Sequence, residues 1–204
     1  MQLKHLLQYS VLAAALATGA ALAAAREAGA QVTLVAGPVH LPTPRGVRRI
    51  DVQSAQNMLE AVDGQAQAAH VLIATAAVAD WRPAQAAHEK IKKDGSGQTP
   101  LLAFVENPDI LATVARSPRA QSGELFCVGF AAESHDLVNH ARAKRERKGV
   151  DLLVVNLADA ENGFESADNA VEVIGDGGSV VASAAGSKRS VSSAIWDAVI
   201  KLSQ

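Results

Sequence analysis

Apolar runs of strand length alternate with helical patterns along most of the chain. The runs predict β-strands at residues 31–36, 47–52, 70–75, 125–129 and 151–155. Residues 54–68, 108–115 and 134–148 have the spacing of helices. Most of these strands are continuously apolar, which is typical of a parallel sheet buried on both faces. The alternation therefore predicts a three-layer, Rossmann-like α/β fold with a mostly parallel sheet.

Local signals at the element ends refine this prediction. Residues 47–52 carry Arg48 and Arg49, so this strand suits a place near the edge of the sheet. Ser54 is predicted to cap its helix. The pair Asn107-Pro108 predicts an Asn cap followed by proline at the first helical position.

The C-terminal part contains a hairpin signal. Residues 170–174 and 179–182 flank the sequence Gly-Asp-Gly-Gly at 175–178, and residues 187–202 form a final helical pattern. The sheet should therefore carry an antiparallel edge hairpin near the C-terminus.

The segment 1–23 allows two interpretations. Lys4 and His5 precede an apolar, alanine-rich zone, as in a secretory signal. The alternative is an alanine-rich helix of the domain that ends at Gly29 and leads into the strand at 31–36. We favour the helix, with the domain proper at residues 24–204, because a helix, a glycine stop and a strand follow each other in the ordinary order of an α/β unit. The protein is then expected to be cytoplasmic. No membrane span is expected, since Thr18 and Gly19 interrupt the apolar stretch.

Composition narrows the function classes. The chain has 204 residues, a net charge of -2 and a pI of about 6.3, so nothing indicates a nucleic-acid partner. Its one cysteine, Cys127, lies in an apolar run, which indicates a buried, inert thiol rather than a nucleophile. No His/Cys cluster has the spacing of a zinc site.

The strongest candidate site follows the strand at 70–75. The stretch Ala-Ala-Val-Ala-Asp-Trp-Arg-Pro at 76–83 is followed by Lys90, Lys92 and Lys93. Ligands of open α/β sheets bind where strands end, and this concentration of charge suits a nucleotide with a metal ion. Asp80 could bind a nucleotide sugar or a metal, or only cap a turn. The lysines could close over phosphates or form a solvated charge run.

Three further features could contribute to an anion site. The helix start at 107–110 offers free N–H groups, although simple capping also explains its residues. Phe130 could stack on a base, or belong to the core. Lys144 and Lys148 share one helix face near the C-terminus of the helix. They could stabilise the helix through its dipole, or they could bind a triphosphate.

Taken in order, these strings resemble the phosphopantothenoylcysteine synthetase (phosphopantothenate–cysteine ligase) domain of coenzyme A biosynthesis. The likeness also includes Val-Ala-Gly-Pro-Val at 35–39, Leu-Pro-Thr-Pro at 41–44, residues 143–149 and Asp-Asn-Ala at 168–170. The resemblance implies that 4′-phosphopantothenate attacks CTP to give an acyl-cytidylate, from which cysteine then displaces CMP. In bacteria this domain is commonly fused behind a flavin-dependent decarboxylase, which is absent here and is a possible partner; a homodimer is also implied.

The resemblance assigns roles to individual residues. Lys90 would be the activating catalytic lysine, and Mg²⁺ would bridge the phosphates. The CTP site would be formed by Ala76, Ala77, Val78, Asp80, Lys90, Asn107, Pro108, Asp109, Ile110, Phe130, Lys144 and Lys148.

The N-terminus departs from the family pattern. The family begins with a strand, a glycine-rich loop and an Asn-Arg-Ser-Ser-Gly segment, whereas residues 1–23 contain no such loop and no evident first strand. We therefore expect weakened CTP binding and an impaired second half-reaction. A non-catalytic nucleotide-binding or partner domain is the alternative. A dinucleotide-dependent oxidoreductase is disfavoured, because no Gly-x-Gly-x-x-Gly follows an opening strand.

Overall fold

The computed structural model describes residues 10–15, 19–85, 89, 91–92, 95, 99, 101–133, 137–157 and 168–203. Strands and helices alternate in them as the apolar pattern predicts. In chain order they are β1 (Ser10–Ala15), α1 (Gly19–Glu27), β2 (Gln31–Ala36), β3 (Arg48–Asp51), α2 (Ala55–Ala66), β4 (Val71–Ala74), β5 (Trp81–Pro83), β6 (Phe104–Glu106), α3 (Ile110–Ala115), α4 (Pro118–Gln121), β7 (Phe126–Glu133), α5 (Leu137–Lys148), β8 (Leu152–Leu157), β9 (Asp168–Ile174), β10 (Val180–Ser187) and α6 (Lys188–Leu202).

Eight of these strands form one sheet, in the order β10-β9-β8-β7-β4-β1-β2-β3. The six strands from β8 to β3 pair in parallel, whereas β9 and β10 are antiparallel to their neighbours. The predicted mostly parallel sheet with an antiparallel hairpin near the C-terminus is confirmed, and β3 lies at an edge. From β1 the chain continues to β2 and β3 on one side, and from β4 it continues to β7 and β8 on the other, so the strand order reverses between β1 and β4. In open α/β sheets, ligands bind in the crevice beyond the carboxyl ends of the strands at this reversal.

The N-terminal segment differs from its prediction. Ser10–Ala15 is a strand that pairs in parallel with both β2 and β4, and helix α1 begins only at Gly19. The favoured continuous helix and the expected loss of the first strand are therefore both wrong. A short apolar run fits either a helix or a buried strand, and the choice here follows from the two neighbouring strands. Among the described residues, no helix is long and apolar enough to cross a membrane.

Helices cover both faces of the sheet and give the predicted three layers. One apolar cluster joins the sheet to α1 and α6, and the other joins it to α2, α3 and α5. Alternate residues of β4 enter different clusters: Val71 and Ile73 belong to the first, Leu72 to the second. This two-sided burial explains why the strand is continuously apolar.

Two local predictions are confirmed by the side chains. The Ser54 Oγ accepts a hydrogen bond from the Asn57 N–H at 3.1 Å and so caps α2. Cys127 is a buried free thiol, and burial, helped by the negative charge of Asp151, raises its pKa to about 12. A thiol with that pKa stays protonated at neutral pH, which excludes it as a nucleophile.

Candidate functional site

A cavity of about 200 Å³ lies at the carboxyl ends of β4 and β7, beside the point where the strand order reverses. It brings together segments that are far apart in the sequence: the loop after β4, the segment before α3, strand β7 and the last turns of α5. The predicted site residues that line it are Ala76, Val78, Asp80, Asn107, Pro108, Asp109, Ile110, Phe130, Lys144 and Lys148.

The two remaining predicted residues are elsewhere. Ala77 lines a neighbouring cavity. Lys90 lies outside the described residues, as does Lys93, whereas Lys92 is described and exposed.

Helix α5 supplies both of the cations found among the described residues that line the cavity. Lys144 and Lys148 are four residues apart, so their side chains lie on the same helix face. The helix ends directly after Lys148, where Gly149 takes a φ of 70°, the left-handed conformation that glycine adopts without strain. Both lysines therefore line the cavity from the last two turns of α5.

The start of α3 differs from its prediction. The cap is Asp109, whose Oδ1 accepts from the Ala112 N–H at 3.0 Å, and the helix begins at Ile110 rather than at Pro108. Asn107 is instead committed to the loop after β4. Its backbone N–H donates to the Asp80 carbonyl at 2.7 Å, and its side-chain Nδ2 donates to the Ala79 carbonyl at 2.8 Å. The proline also restricts Asn107 to extended backbone, which favours the later start.

Asp109 forms an ion pair with Lys148 inside the cavity. Burial acts to raise the pKa of Asp109. The hydrogen bonds from Lys148 and the Ala112 N–H, together with the charges of Lys148 and Arg116, outweigh that effect and hold the pKa below its ordinary value of 3.8. Asp109 is therefore ionised at neutral pH, and its charge is compensated by Lys148.

The other carboxylates change the charge balance of the cavity. Asp80 takes part in no hydrogen bond or ion pair through its carboxylate among the described residues, and it is exposed. With Glu106 and Asp109 it gives three negative side chains, against the two positive charges of Lys144 and Lys148. The described lining alone thus carries a net charge of -1, which does not favour a polyphosphate without further cations.

A second cavity of about 280 Å³ adjoins the first and has a mostly apolar lining. The two share Met58, Ala76 and Val78. The second is otherwise formed by the loop after β2, the N-terminal turn of α2, and Ala77. The loop after β2 is held by Arg49, whose guanidinium donates to the carbonyls of Leu41 at 2.7 Å and Val39 at 3.0 Å.

Five residues of the first cavity were not assigned from the sequence: Met58, Ala74, Ala79, Glu106 and Leu111. Glu106 lies beside Asn107 and was not given a role, although its position next to the helix start was a usable signal. Met58 is buried on α2 and has only the apolar spacing of a core residue, so the sequence held no signal for it.

Comparisons with known proteins agree on the family. A family model described as DNA/pantothenate metabolism flavoprotein C-terminal domain matches residues 14–202. The coenzyme A biosynthesis bifunctional protein CoaBC of Vibrio cholerae serotype O1 is 50% identical over 155 residues, which are 75% of this chain and 38% of that protein. CoaBC of Escherichia coli is 44% identical over 161 residues, 78% of this chain and 39% of that protein. The chain thus spans about two-fifths of the length of these curated relatives.

A solved structure supports the same assignment. The crystal structure of the C-terminal domain of a coenzyme A biosynthesis bifunctional protein CoaBC superposes with a TM-score of 0.71 and 26% identity, and 96% of each chain is covered. The DNA/pantothenate metabolism flavoprotein from Streptococcus pneumoniae has a TM-score of 0.71 at 14% identity, which is a likeness of fold. The resemblance noted in the sequence is confirmed, and the chain belongs to the DNA/pantothenate metabolism flavoprotein C-terminal domain family.

Proposed function

We propose that the chain is a phosphopantothenate–cysteine ligase that uses CTP, in coenzyme A biosynthesis in the cytoplasm. The observation that carries the proposal is the convergence of the predicted nucleotide residues in one cavity at the reversal of the strand order. Membership of the family supports it, as do the names of the relatives, although they are longer proteins.

The proposed reaction has two steps. The carboxylate of 4′-phosphopantothenate attacks the α-phosphate of CTP, forming a C–O–P anhydride as pyrophosphate leaves. The cysteine amine then attacks the acyl carbon, an amide forms, CMP leaves and the amine loses a proton. The protein's contribution is to hold two anions together and to stabilise charge that develops on the α-phosphate. Lys144 and Lys148 are the described side chains suited to that role.

The charge balance of the cavity supports a role for Mg²⁺. Magnesium in nucleotide sites is held mainly by phosphates and by one or two carboxylates. Asp80 fits this requirement, because its carboxylate has no protein partner among the described residues, whereas Asp109 is engaged by Lys148. Asp80 would hold the metal, which supplies positive charge to the phosphates when bound.

The apolar cavity suits the uncharged arm of the acyl substrate. Its lining is mostly carbon, and it meets the charged cavity along Ala76, Val78 and Met58. An arm bound there would bring its carboxylate to the phosphate-binding side. The protein would thus divide its two substrates between an apolar cavity and a charged one.

A matched pair of substitutions tests this division. Ala77 lines only the apolar cavity and Ala79 only the charged one. A77L fills space needed by the arm, so we expect the KM for 4′-phosphopantothenate to rise about tenfold while the Kd for Mg²⁺–CTP stays within about twofold. A79L should show the reverse pattern. Equal effects of both variants on both ligands would contradict the division.

The N-terminus decides whether both steps occur. Strand β1 is in the sheet, yet the sequence between β1 and α1 is only Leu-Ala-Thr, without the glycines or the asparagine of the family segment. The test is to measure pyrophosphate release by the purified chain with CTP, Mg²⁺ and 4′-phosphopantothenate, with and without cysteine. Release with amide product supports the complete ligase. Release without amide places the defect in the second step, and no release from folded protein favours a non-catalytic nucleotide-binding or partner domain.

We propose a homodimer as the working assembly. Strands β5 and β6 form a separate two-stranded sheet whose residues are all exposed. Trp81 and Phe104 lie on the same face of it and are 60% and 56% exposed. A two-stranded ribbon is marginally stable alone, and a second copy offers a self-complementary cover. By resemblance, we propose a flavin-dependent decarboxylase as a further partner.

The proposal that the β5–β6 sheet forms a dimer interface is tested by the molar mass of the protein in solution. We expect a dimer for the native chain and a monomer for the W81S/F104S double variant, measured by light scattering after gel filtration. V180S is the matched control, since Val180 is 43% exposed on the far edge strand β10 and should leave the mass unchanged. A native chain that is monomeric at high concentration would contradict the proposal.

A further inference from the structure

Arg82 and Asn107 form a hydrogen-bonded brace behind the charged cavity. The Arg82 Nη1 donates to the Glu106 carbonyl at 2.7 Å and to the Asn107 Oδ1 at 3.1 Å. The Asn107 Nδ2 donates to the Ala79 carbonyl at 2.8 Å, and its backbone N–H donates to the Asp80 carbonyl at 2.7 Å. The two segments already pair as β5 and β6, and the side-chain amide of Asn107 adds a further tie between them at the cavity.

The side-chain amide of Asn107 can be oriented in two ways, and Arg82 favours one of them. An asparagine amide has one accepting and one donating end, and only one of its two orientations satisfies both neighbours. The guanidinium can only donate, so it requires Oδ1 on its side, and this places Nδ2 against the Ala79 carbonyl. The Ala79 carbonyl can only accept and therefore requires Nδ2 on its side, so Arg82 and Ala79 select the same orientation of the amide. Without Arg82, the Asn107 Oδ1 loses its partner in this network and the amide is held at one end only.

We infer that Arg82 is a positioning residue: through Asn107 it fixes the loop that carries Asp80. This inference rests on the proposed function for its effect on nucleotide binding, but the brace itself is a property of the free protein. The guanidinium was grouped with the phosphate-binding charges in the sequence, whereas its described bonds all go to the protein. Because its guanidinium is engaged by the Glu106 carbonyl and the Asn107 Oδ1, we expect Arg82 to affect the nucleotide through Asn107.

The first test uses the protein without ligand. The Asn107 amide hydrogen bonds to the Asp80 carbonyl, so its exchange with solvent reports the brace directly. We expect R82Q to increase the exchange rate of that amide at least about tenfold, measured by NMR, with the global unfolding transition little changed. An unchanged exchange rate in R82Q would overturn the inference, whatever the nucleotide result.

The second test separates positioning from direct contact. We expect R82Q to raise the Kd for Mg²⁺–CTP about tenfold, N107A to do the same, and the double variant to be no weaker than N107A alone. The salt dependence of binding should be the same for R82Q and the native chain. Additive effects, or a salt dependence reduced as for a lost phosphate contact, would show that Arg82 binds the nucleotide itself and overturn the inference.

A matched arginine controls for general loss of stability. Arg119 also donates to protein oxygens, the carbonyls of Ala66 at 2.6 Å and Ala69 at 3.0 Å and both the carbonyl and the carboxylate of Glu124, and it does not line the cavity. R119Q should lower the Tm and leave both the Asn107 exchange rate and the nucleotide Kd unchanged. If R119Q changed the exchange rate or the Kd as much as R82Q does, the effect of R82Q would be explained by a general loss of stability. That result would contradict a positioning role for Arg82. If the native chain binds no CTP, the proposed function fails, and the exchange test alone decides the brace.

Discussion

Replacing Lys148 with methionine is expected to weaken Mg²⁺–CTP binding about 30-fold, which corresponds to about 2 kcal/mol. The substitution removes a cation from the cavity and also leaves the Asp109 carboxylate without its partner. The charge of the described lining changes from -1 to -2 on the side where the phosphates are proposed to bind. A free-energy cost of about 2 kcal/mol is at the low end of the range for breaking an ion pair at a binding site. We choose it because the side chains of Lys148 and Asp109 are 23% and 46% exposed, so solvent screens the pair.

The double variant D109N/K148M separates the two contributions. An asparagine at 109 can still accept from the Ala112 N–H, so α3 stays capped while the uncompensated charge is removed. We expect its Kd to recover to within about fivefold of the native value. Titration calorimetry gives both constants. A double variant as weak as K148M would mean that Lys148 contributes a direct phosphate contact and that Asp109 is irrelevant to binding.

The same ion pair gives a pH signature in stability. The pKa of Asp109 is held below 3.8 in the folded state, so the pair stabilises the fold above that value and the stabilisation is lost as the pH falls through the folded pKa. The native chain should therefore be more stable than K148M at pH 7, and the difference should shrink below pH 3.8. Urea unfolding at several pH values measures it. A difference that is constant with pH would exclude this linkage.

The sheet and most of the cavity could be predicted from the sequence, for one physical reason. A strand buried on both faces leaves an unbroken apolar run, as in β4, and polar residues directly after such a run must emerge at the same edge of a parallel sheet. Asp80 could therefore be placed at the carboxyl edge of the sheet before any coordinates. Phe130 was expected directly after the strand at 125–129, but it lies within β7, which continues to Glu133. Lys144 and Lys148 followed from helical spacing alone.

The remaining features depend on contacts between distant segments. Ser10–Ala15 is compatible with a helix or a strand, and β2 and β4 decide between them. Asn107 and Asp109 are equally good caps by residue type, and the choice follows from the bonds of Asn107 to Ala79 and Asp80. Arg82 has the same charge whether it binds a phosphate or a carbonyl, so only its partners reveal its role.

Replacing Lys90 with glutamine is expected to slow CTP-dependent pyrophosphate release at least about 100-fold. The role comes from the family resemblance, and the structure adds an electrostatic reason. The described lining has a net charge of -1, so a triphosphate needs cations from outside it. Besides Mg²⁺, the lysines at 90, 92 and 93 are the next positive charges in the sequence after Arg82, whose guanidinium bonds to Glu106 and Asn107.

Lys92 and Lys93 provide the matched controls for this experiment. K92Q and K93Q remove the same charge from the same short segment, so a general electrostatic effect would slow all three variants alike. A catalytic role confined to Lys90 predicts less than about a threefold loss in either control. Three equal losses would assign the segment to attraction of the nucleotide and not to catalysis.

K90Q is also expected to lower kcat without a comparable loss of affinity for Mg²⁺–CTP. An interaction that strengthens as charge develops on the α-phosphate lowers the rate constant when it is removed, and leaves ground-state binding nearly unchanged. We therefore expect the Kd for Mg²⁺–CTP in K90Q to stay within about fivefold of the native value while kcat falls. A Kd that rises in proportion to the lost activity, with kcat preserved, would make Lys90 a ground-state phosphate ligand and refute its assignment as the activating residue.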